Sequence, residues 1–141
     1  MSPTIVALLG FAAWSLLLVL CIGIYRTSRV SLDKRQPNSF SASGEDLPGF
    51  GHRLTRAHAN TYEFLPVAGV VMLCALATGQ TAVTDGLAYV FLGARLLQSL
   101  VHLASTSNAA VLIRFLFFAV QVVVVGWWVI GLCLSLLQLR G

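Results

Sequence analysis

Apolar residues fill four long blocks of the chain, Ile5–Tyr25, Phe64–Thr78, Gly86–Leu103 and Ala109–Leu137. About 20 helical residues cross the ~30 Å hydrocarbon layer, so each block, the second with its polar lead-in from Gly51, predicts a transmembrane helix. The first block has no basic lead and is longer than the apolar core of a signal peptide, so it is kept as a helix. With their flanks the blocks give expected helices at about residues 4–27, 51–79, 85–104 and 108–138. The predicted fold class is all-α, an integral-membrane four-helix bundle of up-down topology, with residues 1–141 as a single transmembrane domain.

The second helix breaks the apolar pattern in an ordered way. Arg53, Arg56, Asn60 and Glu63 follow one another at steps of three, four and three, which at ~100° per residue puts them on one stripe less than a quarter-turn wide. Pro66 removes a backbone N–H and so frees a carbonyl near Tyr62, close to that stripe. The third helix carries a second stripe of Arg95, Gln98, Ser99 and His102, and the fourth has Arg114 with Gln121 two turns on. Charge at bilayer depth costs several kcal/mol and is retained mostly where it serves a site. Arg56, Arg95 and Arg114 are expected to point inward from three helices, with Glu63 the one acid at their depth and a partner for Arg56 or Arg95. A positive surplus would remain, and a bound anion would relieve it. The bland alternative is that these groups pair only with one another and with backbone carbonyls.

Composition agrees with a membrane protein: 57% of the residues are hydrophobic and 10% are charged, and mean hydropathy is +0.85. The net charge of +4 would suggest nucleic acid in a soluble protein. Here it does not, because six basic residues, Arg26, Arg29, Lys34, Arg35, Arg53 and Arg56, lie between the first two apolar blocks. That bias predicts a cytoplasmic loop at about residues 28–50, with both termini on the other side. The loop has no helical or strand period. Thr84 or Asp85 is available to cap the third helix, and Trp127 and Trp128 suit an interface belt or a lipid or subunit contact. Cys21, Cys74 and Cys133 have no metal spacing and are expected to pack as small apolar residues. Three histidines raise haem, but His52 lies near the surface and His58 off the polar stripe, so no metal site is assigned.

The segment HRLTRAHANTYEFLP resembles the signature of the MAPEG family, membrane-associated proteins in eicosanoid and glutathione metabolism, in which Arg-x-x-Arg-Ala-x-x-Asn-x-x-Glu precedes a proline. Arg53, Arg56, Ala57, Asn60, Glu63 and Pro66 match, and the likeness extends to Arg95, Gln98 and His102 and to Arg114. It implies a homotrimer of four-helix subunits that holds glutathione between neighbours. Arg56, Asn60, Glu63, Arg95, Gln98 and His102 are then the cofactor-binding candidates, and Arg114, near the thiol, is the catalytic one. The implied activity is a glutathione S-transferase or peroxidase-like conjugation of a lipophilic small molecule from the lipid bilayer. A non-catalytic structural or lipid-binding trimer of the same fold is the alternative. Mammalian glutathione-using members carry tyrosines at or near the positions of Gln98, His102 and Phe118, so a bacterial-type member of an inner membrane, using glutathione or another small thiol, is expected.

The topology is testable by labelling a single cysteine placed at Ser43 on a cysteine-free background. An impermeant maleimide should label it in broken cells and not in intact ones. Labelling from outside intact cells would invert the orientation.

Overall fold

Ser2 starts the first helix by accepting a hydrogen bond from the Thr4 N–H at 3.2 Å, with Pro3 at the first helical position. In a computed structural model of the protein, which describes residues 1–138, this helix, α1, spans Pro3–Asp33. The last three residues of the expected 1–141 domain lie outside the described residues. It is followed by α2 (Phe50–Ala77), α3 (Ala82–Ala104) and α4 (Asn108–Gln138). All four are long and apolar enough to cross a membrane, so the chain is an integral membrane protein of all-α, four-helix architecture.

Helix ends follow local chemistry. At the end of α2, Gly79 takes φ 69°, its N–H bonds Leu76 O at 3.3 Å, and the Gln80 N–H bonds Ala75 O at 2.8 Å. This pair of bonds satisfies carbonyls that the helix itself leaves open. Ser107 caps α4 by accepting from the Ala110 N–H at 3.2 Å. Two boundaries differ from the sequence reading. α1 runs six residues beyond the expected 27, because apolar pattern marks the membrane core and not the helix end. Its last turns are held by Arg29, which bonds Asp33 at 2.8 Å and the Tyr25 hydroxyl at 3.0 Å. α3 starts at Ala82, not at 85, and neither Thr84 nor Asp85 caps it. Both turn instead to the start of α1. The Asp85 carboxylate accepts from the Thr4 hydroxyl at 2.6 Å and the Thr4 N–H at 3.0 Å, and the two buried hydroxyls of Thr4 and Thr84 lie 2.6 Å apart. An acid of one helix thus caps another.

The loop after α1 contains one short 3-10 turn, Pro37–Ser39, and is ordered by the basic residues around it. Arg26 donates to Ser41 O at 2.8 Å, while Arg35 pairs with Asp46 and stacks 4.4 Å over the Phe40 ring. Partial burial raises the Asp46 carboxyl, but backbone N–H groups, Ser41's first among them, and the Arg35 guanidinium outweigh it and hold the group below its usual value.

α3 is the centre of the bundle and touches all three other helices, whereas α2 and α4 barely meet. Their shared core is aromatic. Phe91 of α3 lies 5.5 Å from Phe11, 6.3 Å from Phe64 and 5.4 Å from Trp128, ring centre to centre. Ala7, Ala68, Ala75 and Ala88, all fully buried, let the backbones approach, which is how helices associate in lipid. Trp128 corrects the expectation of an outward belt: it is fully buried, while Trp127 beside it is 64% exposed. Cys133 also faces outward rather than packing inside. α4 therefore leans on α3 alone along much of its length, which leaves an opening against α2 near the long loop.

The inter-helix cap generates a test. Asp85→Ala should destabilise the detergent-solubilised protein by about 2 kcal/mol, the scale of hydrogen bonds to a charged group, and Asp85→Asn by roughly half that. Equal melting temperatures for all three proteins would remove the cap from the account.

Candidate functional site

At the loop end of the bundle a cleft of about 430 Å3 opens between α2 and α4, with α3 as its floor. α2 contributes His52, Arg53, Arg56 and Asn60, α3 contributes Gln98 and His102, and α4 contributes Arg114 with Val111, Phe115 and Phe118. Its volume is that of a small-molecule site. Among the described residues no carboxylate lines it. A second hollow of about 380 Å3 adjoins it through His52, Arg53 and Thr106, and is bounded by Glu45, Leu47 and Gly49 of the loop.

Beneath the cleft sits Arg95, fully buried. Its guanidinium donates to the Asn60 side-chain oxygen at 2.9 Å and to the Asn60 carbonyl at 3.3 Å. The rings of Phe11 and Phe64 lie 5.3 and 5.1 Å from it. Its Nε and Nη2 have no partner among the described residues, and no carboxylate neutralises it. Two aromatic faces and two carbonyl dipoles offset part of the cost of burying that charge.

This arrangement fixes what the cleft wall offers. Arg95 can only donate, so the Asn60 oxygen must face it, and the Asn60 amide NH2 is left for the cleft. Gln121 is bound the same way: its amide donates to Phe117 O at 2.8 Å and to the Gln98 oxygen at 2.9 Å. Because a backbone carbonyl only accepts, Gln121 presents nitrogen, Gln98 must present oxygen to it, and the Gln98 NH2 is left over. Arg56 and Arg114 make no hydrogen bond or ion pair among the described residues. Two free guanidiniums and two amide NH2 groups thus line a cleft with no acid. Such a wall is built for an anion.

Residues 4–134 match the MAPEG family. The chain belongs to the MAPEG family. It is therefore a membrane protein of a family tied to glutathione and eicosanoid metabolism. No curated protein and no solved structure matches the chain.

Of the residues singled out in the sequence, the MAPEG fold brings Arg56, Asn60, Gln98, His102 and Arg114 to the one cleft. Arg95 lies behind it and meets it only through Asn60. Glu63 is exposed, lies outside the cleft lining, and forms no ion pair with Arg56 or Arg95 among the described residues. Arg53, on the sequence stripe, is committed to Leu103 O at 2.7 Å, where it closes the end of α3. His58 stacks on Tyr62 outside the site. His52, weighed from the sequence only as a haem ligand, lines the cleft as well, and its spacing agrees, because His52, Arg56 and Asn60 follow at steps of four and so share a face.

The roles of Arg95 and Asn60 are asymmetric, and stability should show it. Asn60→Ala leaves a buried guanidinium without its carboxamide partner and should cost about 3 kcal/mol, whereas Arg95→Met removes the charge itself and should stay within about 1 kcal/mol. The double variant should resemble Arg95→Met. Equal losses from the two single changes would mean that Arg95 is not the group that needs Asn60.

Proposed function

We propose that this MAPEG chain is a membrane-bound thiol transferase, glutathione S-transferase or peroxidase-like, that joins glutathione or a similar small anionic thiol to a lipophilic electrophile arriving from the bilayer. The observation that carries this reading is the acid-free cleft lined by two unpaired guanidiniums and two amide NH2 groups. Glutathione has two carboxylates, and Arg56, Asn60 and Gln98 supply donors suited to them, with His102 on the same wall. Glu63, exposed one turn beyond Asn60 and outside the cleft lining, is the acceptor on α2 that a cofactor amine could reach from the cleft. Arg95 supports the site through Asn60. The apolar side of the cleft, Val111, Phe115 and Phe118, lies on the exposed face of α4 and suits a lipid-soluble co-substrate.

The thiol supplies the nucleophile. A free thiol near pKa ~8.5 is mostly protonated at neutral pH, and a neighbouring cation increases its thiolate population about tenfold per unit of depression. Arg114, which has no hydrogen-bond or ion-pair partner among the described residues and lines the cleft beside the apolar wall, suits that task. A homotrimer would cover the exposed polar rim around Glu63 and Arg56, and the basic loop favours a cleft that opens to the cytoplasm, with both termini on the other side. The inter-helix contacts Arg95–Asn60, partly buried, and Gln98–Gln121, buried, also suit a second reading, a non-catalytic lipid-binding trimer in which polar groups only lock the helices.

Glutathione at ten times its dissociation constant should stabilise the purified protein by about 1.4 kcal/mol, enough for a measurable thermal shift. Arg114→Leu should leave that shift nearly unchanged, lower the conjugation rate at pH 7 by roughly tenfold, and move the rate profile upward by about one pH unit. No thermal shift with glutathione or any other small cellular thiol would favour the non-catalytic reading.

A further inference from the structure

His52 is the cleft residue whose chemistry the foregoing reading leaves unused. It stands in the first turn of α2 and borders both the cleft and the adjoining hollow. Its Nδ1 lies 3.0 Å from Gly44 O of the long loop. A carbonyl oxygen can only accept, so Nδ1 carries the hydrogen in this contact. In the neutral ring the other nitrogen, Nε2, then holds a bare lone pair, and it is the only ring atom free to meet a molecule in the cleft. The tautomer is set by a backbone contact of the kind that orients catalytic imidazoles.

We propose that His52 is the general base of the thiol step, its Nε2 taking the proton of the bound thiol as sulfur attacks the electrophile. The proposal rests on the thiol-transferase reading above. The step balances: the S–H bond breaks toward Nε2, the S–C bond forms, and the electron pair of the departing bond leaves with the leaving group. The imidazolium then returns its proton to water. The charged and titratable groups lining the spaces that His52 borders are Arg53 and Arg56 of its own helix, the His102 imidazole of α3, Arg114 of α4 and, on the loop side, Glu45. Arginines thus surround the spot where a thiolate forms, and of the groups there able to accept its proton the His52 imidazole is the one whose free nitrogen is fixed by a backbone tie. Arg114 and His52 then divide the work between stabilising the anion and removing the proton.

His52→Asn separates catalysis from structure, because the Asn amide places an N–H near the position of Nδ1 and keeps the tie to Gly44 while removing the Nε2 base. The experiment uses the full-length protein in detergent, glutathione and 1-chloro-2,4-dinitrobenzene, whose leaving group is chloride. The glutathione thermal shift should match that of the unaltered protein. The rate at pH 7 should fall about a hundredfold, within the range of a lost general base, and the two rate profiles should converge by about pH 9, where the thiol ionises unaided. Added imidazole should restore rate to His52→Asn and not to Arg114→Leu. His52→Gln, which also lacks a base, serves as the second variant if His52→Asn does not fold. A native rate at pH 7 would overturn the proposal, as would a loss equal at all pH values without imidazole rescue. If the unaltered protein shows no glutathione shift, the transferase reading falls and takes this base with it. A shift accompanied by an active His52→Asn overturns the base alone.

Discussion

A guanidinium buried in the middle of the bundle, with no counter-ion among the described residues, constrains everything packed around it. Arg95 is on the helix that touches the other three, so its surroundings are built by all the early helices: Phe11 from α1, Phe64 and Asn60 from α2. A lone charge in that position is tolerable only with a fixed dipole against it. That requirement holds Asn60 in one orientation, and the orientation of Asn60 decides what the cleft above can bind. The same logic repeats one layer over, where Phe117 O fixes Gln121 and Gln121 fixes Gln98. Two carboxamides are thus poled toward the cleft by partners that never enter it.

The basic residues divide into two populations that the total of +4 does not distinguish. Arg26, Arg29, Arg35 and Arg53 are all spent on carbonyls, hydroxyls or carboxylates at helix ends and in the loop. Arg56 and Arg114 are not. The charge left unspent at the cleft is therefore that of two guanidiniums, with Arg26, Arg29, Arg35 and Arg53 acting as staples. This also explains why the long loop is ordered despite a sequence of Ser, Gly and Pro: its order comes from arginines anchored in and near it, not from its own periodicity.

Helix positions were legible because hydropathy and the 3.6-residue period report directly on lipid and core, and α2 and α4 lie within two residues of expectation at each end. The polar stripes were legible for the same reason. What a stripe does not report is which neighbour it meets, since angle around one helix says nothing of where the next helix stands. Hence Asn60, not Glu63, is the partner of Arg95, and Trp128 is core while Trp127 is surface. The first outcome follows from α2 packing against α3 and the second from α4 packing on α3, features of tertiary geometry with no local signal. Asp85 is the same case in reverse: a good capping residue by position, taken by a different helix because α1 begins beside it.

The standing-off of α4 is also what joins polar and apolar chemistry in one place. Had α4 packed closely against α2, Arg56 and Arg114 would have faced each other at short range with no anion between them, a repulsion that only separation or a ligand relieves. Separation opens the cleft, and it leaves Phe115 and Phe118 exposed along its edge toward lipid. For the proposed transferase, a water-soluble anion and a lipid-soluble molecule would then reach the same cavity from different phases. The standing-off of α4 thus leaves two unpaired guanidiniums and two exposed rings on one cleft.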